Sequence, residues 1–282
     1  MRRIWAAVLA MILAAGAIGC GEQKDSAKSR LDEILERGYI TVATEPYFAP
    51  NEFIDPSKEG DDRYVGSDIE LAKYIAQQLG VECRIMALDF STVLSSVTEG
   101  KYDLAISALG YKPDRAENMN LSNGYYKSDE EDDSTYGVAA RADMAGEIQS
   151  IDDLADKVVV VQQGSLQQFF LEDQVPKCKE VKYVSSTNDA FLMVQEGKAD
   201  VVVTATAFAR LYIDANEECG LAMVESFRFE ADERFSSMVI GMKKGEDELL
   251  AKINEIIEPV VQDGTYMKWY KQYKEYAATL GL

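Results

Sequence analysis

Two rhythms of apolar residues alternate along the chain. Short apolar-rich runs at 40–43, 81–86, 104–107, 158–162, 180–184 and 201–204 predict strands, and apolar residues spaced three and four apart predict helices at 69–79, 91–99, 166–173 and 207–216. The runs Leu104-Ala105-Ile106 and Val201-Val202-Val203 carry no polar interruption, as expected of strands buried on both faces by flanking helices. Strands alternating with helices in this way predict an α/β fold of open sheets.

The pattern also repeats. Residues 97–108 (V-T-E-G-K-Y-D-L-A-I-S-A) return as 194–205 (V-Q-E-G-K-A-D-V-V-V-T-A), at a constant offset of 97 residues. Before each copy runs a helix-period segment, 90–99 or 188–196, and a glycine supplies the left-handed stop. A buried strand follows, ending on a hydroxyl residue, Ser107 or Thr204. In open α/β sheets, ligands sit beyond the carboxyl ends of strands. The repeat therefore predicts two lobes, 31–133 with 230–282 and 134–229, facing each other across a cleft and joined by a two-strand hinge. The acidic run Asp129-Glu130-Glu131-Asp132-Asp133 falls on the first crossing. It lacks the ligand spacing of a calcium loop and reads as a solvated connection. A return crossing near 226–231 would carry the C-terminal helices back to the first lobe.

Arg2 and Arg3 precede an uncharged, mostly apolar stretch, 4–18, that is too short to span a bilayer and ends in Ala17-Ile18-Gly19-Cys20. This resembles a bacterial lipoprotein signal, 1–20, with Cys20 as the lipidated first residue of the mature chain, although Ala17 stands where Leu is usual. The polar stretch 21–30 then reads as a tether. About 260 residues remain, more than one comfortable core. Of the other cysteines, Cys83, Cys178 and Cys219, the last two both fall in the second lobe and are free to pair outside the cytoplasm.

Composition narrows the function. With Lys plus Arg 29 against Asp plus Glu 49, the net charge is −20, so nucleic acid is not expected as a partner. The absence of histidine excludes Ser-His-Asp and Cys-His catalysis and histidine-ligated metals. No residue pattern asks for a cofactor or a metal.

The segments 40–53 (I-T-V-A-T-E-P-Y-F-A-P-N-E-F), 66–72 (G-S-D-I-E-L-A), 100–115 ending K-P-D-R, 162–165 (Q-Q-G-S) and 262–266 (Q-D-G-T-Y) resemble, in order, the marks of extracellular solute-binding proteins of family 3, the polar amino-acid-binding components of ABC transporters. The resemblance covers about residues 31–275. It implies a periplasmic-binding-protein-like fold that captures an amino acid or related small carboxylate and delivers it to an ABC transporter permease, with the membrane reached through the lipid anchor. By position, it gives Arg115 the α-carboxylate, which a guanidinium matches with a two-pronged bond. Gly164 and Ser165, between a strand and a helix, would offer N–H groups to the same carboxylate. Phe48 and Phe90 would sandwich the side chain, and Ser107 would meet the amine.

The chain departs from the family at three of these positions. Gly110 stands where Ser or Thr is usual, Leu166 follows Gly164-Ser165 where a small residue is usual, and Ala205 replaces the amine-binding Asp. A buried ammonium needs a partner. Glu45, at the end of the first strand, is the expected substitute. The second reading is a periplasmic dehydratase acting on a cyclic carboxylate on the same scaffold, with Glu45 as acid or base. A third is a ligand-sensing partner of a separate receptor.

Overall fold

The computed structural model describes residues 28–126 and 135–282. The export signal, Cys20, tether residues 21–27 and the acidic run 129–133 lie outside the described residues. Ser29 caps helix α1 (Arg30–Arg37), which leads into β1 (Tyr39–Thr44). Three very short strands follow, β2 (Tyr47–Phe48), β3 (Glu52–Ile54) and β4 (Tyr64–Val65), then α2 (Ser67–Leu79), β5 (Glu82–Ala87), α3 (Phe90–Thr98), β6 (Leu104–Ala105), α4 (Pro113–Asn118) and β7 (Met119–Leu121). The second half runs β8 (Tyr136–Arg141), α5 (Ala142–Ala145), β9 (Val158–Gln162), α6 (Leu166–Gln174), β10 (Glu180–Val184), α7 (Thr187–Gln195), β11 (Val201–Ala205), α8 (Thr206–Ala215) and β12 (Leu221–Met223). It closes with β13 (Gly241–Lys243) and the long helices α9 (Asp247–Gln262) and α10 (Thr265–Leu280).

Two five-stranded sheets carry the architecture, in the orders β5-β1-β6-β13-β7 and β10-β9-β11-β8-β12. In each, the first three strands are parallel and the fourth is antiparallel. Helices cover both faces of each sheet. Alternate residues of β9 and β11 sort to opposite sides, Val159, Val161, Val201 and Val203 into one core and Val160 and Val202 into the other. In the first sheet Val42, Leu104 and Ile106 pack against α2, α9 and α10, while Ala43 and Ala105 meet α3. The chain is thus the two-lobed α/β protein that its pattern predicts.

The repeat has a structural meaning. Gly100 and Gly197 both take left-handed φ, +77° and +70°, after α3 and α7. Asp103 Oδ2 accepts the Thr41 N–H at 2.7 Å, and Asp200 Oδ2 accepts the Val158 N–H at 2.7 Å. The same carboxylate therefore binds the neighbouring parallel strand in each lobe one residue before their shared ladder begins, at Val42 and Val159.

The three-stranded sheet β2-β3-β4 is not foreshadowed by the apolar pattern. It folds over the end of β1 because Gly66, at φ +130°, lets the start of α2 approach Asn51; a Cβ there would lie 2.1 Å from Asn51 O. Cys178 and Cys219 do not pair. They pack on opposite faces of the second sheet, and all three described cysteines are free thiols. Helix α10 lies on α2 of lobe 1 yet also reaches lobe 2. There Asn216 Nδ2, just after α8, donates to Gly281 O at 3.0 Å, and Leu211 packs in one cluster with Ala277.

Candidate functional site

Four parallel strands, two from each lobe, end at one cavity. Beyond β1 lies Glu45, beyond β6 lies Ser107, β9 ends at Gln162 and β11 at Ala205, and all four line it. Among the described residues that line it, only Glu45, Glu52 and Arg115 are charged.

Arg115 sits on α4, whose first residue is Pro113, so the ring starts the helix and fixes where the side chain leaves it. It is buried, and burial lowers its pKa to about 10, so it remains a cation at neutral pH. Nη1 donates to Gly110 O at 2.7 Å within lobe 1, and Nη2 donates to Gly164 O at 2.5 Å in lobe 2. Nε is buried with no partner, and the Phe90 ring centre lies 5.5 Å from the guanidinium carbon. The cationic fork therefore stands in the cleft and spans it.

The N–H groups expected to cradle an anion are engaged locally. Gly164 N–H donates to Gln168 Oε1 at 2.6 Å, and Ser165 uses its hydroxyl to cap α6 by accepting the Gln168 N–H. The two departures at Gly110 and Leu166 prove to be one feature. A Cβ on Gly110 would lie 2.2 Å from Leu166 Cδ1, so the leucine of lobe 2 fills the place that a side chain at 110 would take.

Phe48 and Phe90 each find a different partner. Phe48 stacks across the cleft on Phe208 of α8, with centroids 4.3 Å apart and planes at 21°, and Phe90 lies by Arg115 instead. Ser107 is likewise occupied. Its Oγ accepts the Glu45 N–H at 3.0 Å and donates to Glu52 Oε1 at 3.1 Å.

Glu45 is almost fully buried, and its Oε1 has no partner among the described residues. Burial pushes its carboxyl up to about 8, with Asp89 and Asp189 adding to the rise while the Gln162 amide opposes it. Glu52, fully buried, is pushed well above the ordinary carboxylate range, first by burial and then by Asp68 and Glu45. Ala205 lines the cavity without a charge, and its neighbour Thr206 is turned to Thr135.

Glu52, Gln162 and Phe208 are lining residues that the sequence reading did not single out. Phe208 was within reach of the repeat, which places the residues just past 204 at the same edge as those past 107. Glu52 carried no such signal. Among the described residues, no group of His, Cys, Asp and Glu could hold a metal, and no helix is long and apolar enough to cross a membrane.

With this geometry in place, comparison supplies the class. Residues 40–276 match the model of bacterial extracellular solute-binding proteins, family 3, and the chain belongs to that family. It is 28% identical over 239 residues to the ABC transporter arginine-binding protein 1 of Escherichia coli K12, covering 83% of this chain and 91% of that protein. The crystal structure of the amino acid ABC transporter substrate-binding protein AbpA of Streptococcus pneumoniae, bound to L-arginine, superposes with a TM-score of 0.77 at 29% identity, over 88% of this chain and 98% of that one. An ancestral amino acid-binding protein, a precursor of cyclohexadienyl dehydratase, gives 0.72 at 27% identity, over 87% and 99%. That last protein is itself a binder, and the other two are transport components. The dehydratase reading is not carried further, and the family places the chain outside the cytoplasm.

Proposed function

We propose that this protein captures an amino acid between its lobes and hands it to an ABC transporter permease, held at the membrane through a lipid on Cys20. Residues 31–133 with 230–282 act as one body and 134–229 as the other, hinged at the two crossings. The observation that carries this reading is the meeting of four strand ends on a cavity holding one buried guanidinium and a buried carboxyl, Glu45, with an unpartnered oxygen. A zwitterion needs those two poles.

Arg115 takes the α-carboxylate. Its terminal nitrogens now hold neutral carbonyls of both lobes, and an incoming carboxylate competes for them with charge-assisted bonds, which are about twice as strong. Glu45 takes the amine that Ala205 cannot. Phe48, Phe90 and Phe208 line the apolar part, with Gly110, Ser165, Leu166 and Ser107 shaping the walls, and Gly164 meets the site through its carbonyl on Arg115. Because two relatives are arginine-binding or arginine-bound, arginine is the first solute to try.

The test is a thermal-shift screen over the twenty amino acids and related carboxylates, repeated with Arg115→Ala. Stabilisation by an amino acid that disappears in R115A supports the reading. A hit unaffected by R115A removes Arg115 as the anchor, and no hit among the twenty removes the function.

A further inference from the structure

The cavity contains a carboxyl that the amino acid reading leaves unused. Glu52, on β3, is wholly buried, lines the same cavity as Glu45, and keeps Oε2 without a partner. No salt bridge reaches either acid among the described residues. Ser107 Oγ joins them, accepting from the Glu45 backbone and donating to Glu52 Oε1.

Asp68 lies behind Glu52 and differs from it in a telling way. Its oxygens accept the Tyr266 hydroxyl at 2.6 Å, the Tyr125 hydroxyl at 2.8 Å and the Ala108 N–H at 2.7 Å. Three donors satisfy that carboxylate, so it is built into the scaffold. Glu52 lines the cavity, stands against Asp68, has one hydroxyl donor in Ser107, and keeps Oε2 buried without a partner among the described residues. An unpaired buried carboxylate is costly, and a second such acid beside it compounds the cost. What both lack is a cation from within the cavity.

We infer that Glu52 is a second solute-reading carboxyl, which together with Glu45 receives the positive groups of a solute of net charge +1, a basic amino acid. This rests on the amino acid reading above and narrows it. The charge sum over the described lining supports it: Arg115 against two ionised glutamates leaves one negative charge in excess, and such a solute brings that total to zero.

The inference carries a proton consequence. Glu45 faces Asp89 and Asp189 as well as the Gln162 amide, and Glu52 faces Asp68, Glu45 and the hydroxyls of Tyr125 and Tyr266. Apart from solute, burial and the acidic neighbours favour the protonated acids, opposed by the Gln162 amide on Glu45 and the Ser107 hydroxyl on Glu52. A bound cation favours the ionised ones, so capture expels protons, and affinity rises with pH below about 8.

The deciding experiment is calorimetric titration of L-arginine at pH 7 in two buffers of different ionisation enthalpy, with the intact protein and Glu52→Gln. Two responding carboxyls give release of more than about one proton per arginine, and E52Q releases about one fewer. Affinity for arginine should fall roughly 10- to 100-fold in E52Q, the weight of one charge-assisted bond. A structural role alone would not change the proton count.

Should E52Q release as many protons as the intact protein and bind as tightly, the role of Glu52 is overturned while capture by Arg115 stands. Should E52Q not fold, the intact protein still decides, because release of one proton or fewer leaves Glu45 as the sole donor. If arginine does not bind although other amino acids do, the charge assignment falls and the function survives. If none of the twenty binds, both fall.

Discussion

In lobe 1 the central parallel strand β1 runs out into Glu45; in lobe 2 its counterpart β9 ends on Gln162. The pairing of β1 with β6 at Val42 and Leu104 matches that of β9 with β11 at Val159 and Val201, so the two residues are topological equivalents facing one cavity. Ser107 and Thr204 correspond in the same way, and Asp103 and Asp200 bind their neighbouring strands alike. The backbone plan is duplicated while the charges are not. Among the described residues every charged lining residue is in lobe 1, and lobe 2 contributes the amides of Gln162 and Gln167, the rings of Tyr136 and Phe208, and hydroxyl and aliphatic side chains. Under the proposed function, one lobe would read the charge of the solute and the other would supply apolar cover.

Experiments can break that division at several points. The largest effect is expected from Arg115→Ala, which should weaken amino acid binding at least about 100-fold by calorimetry, since truncating one side of a buried charge contact costs 2–5 kcal/mol or more. Binding unchanged in R115A would move the charge reader elsewhere.

The repeated aspartates allow a direct comparison of scaffold strength. Asp103 is buried and serves Thr41 N–H, the Thr41 hydroxyl and Arg37, whereas Asp200 is half-buried and serves Val158 N–H. Asp103→Ala should cost about 3–5 kcal/mol in denaturant unfolding and Asp200→Ala about 1–2. Equal losses would mean that the extra partners of Asp103 contribute nothing.

Glu45 sets a pH effect of intermediate size. Its carboxyl is raised from 4.5 to about 8 in the folded protein, so the unfolded chain loses its proton first as pH rises. The stability it contributes is whole below pH 4.5 and lost as pH climbs through about 8. Solute-free Glu45→Gln should recover about 2–4 kcal/mol of that loss at pH 8, read as a flatter melting temperature between pH 5 and 8. A wild-type profile no steeper than that of E45Q would place Glu45 in water.

The smallest effect concerns the wall shared by the lobes. Gly110→Thr should cost about 1–3 kcal/mol through collision with Leu166, and adding Leu166→Ser should restore most of it. Additive losses in that cycle would show that the two positions do not meet.

Much of this was legible from the chain, and what was not has a physical reason. Strands β9 and β10 occupy the runs predicted at 158–162 and 180–184 because they are central or long enough to show their pattern. The twin lobes were legible because E-G-K-x-D encodes a helix stop and a strand-binding carboxylate, both local devices. The strands β2, β3, β4, β7 and β13 were not, since two or three residues carry no period and β13 pairs with β7 more than 100 positions away in sequence. Glu52 escaped for a related reason. Its partner Ser107 lies 55 positions further along the chain, so the contact belongs to the fold and leaves no local pattern. Gly110 and Leu166 each look like a loss when taken singly, and only the fold shows them as complements.

Helix α10 lends Tyr270 to the cavity lining, yet its far end meets lobe 2 at residues that do not line it. It is rooted in lobe 1 by the Tyr266 hydroxyl on Asp68 and the Tyr273 hydroxyl on Glu70, and it touches lobe 2 at Asn216 and Leu211. Any swing that parts the lobes has to peel that contact away. If the lobes part as the proposed function requires, the strap would act as a spring in parallel with the solute, and altering its tip would retune how readily cargo is let go while every lining side chain stayed as it is.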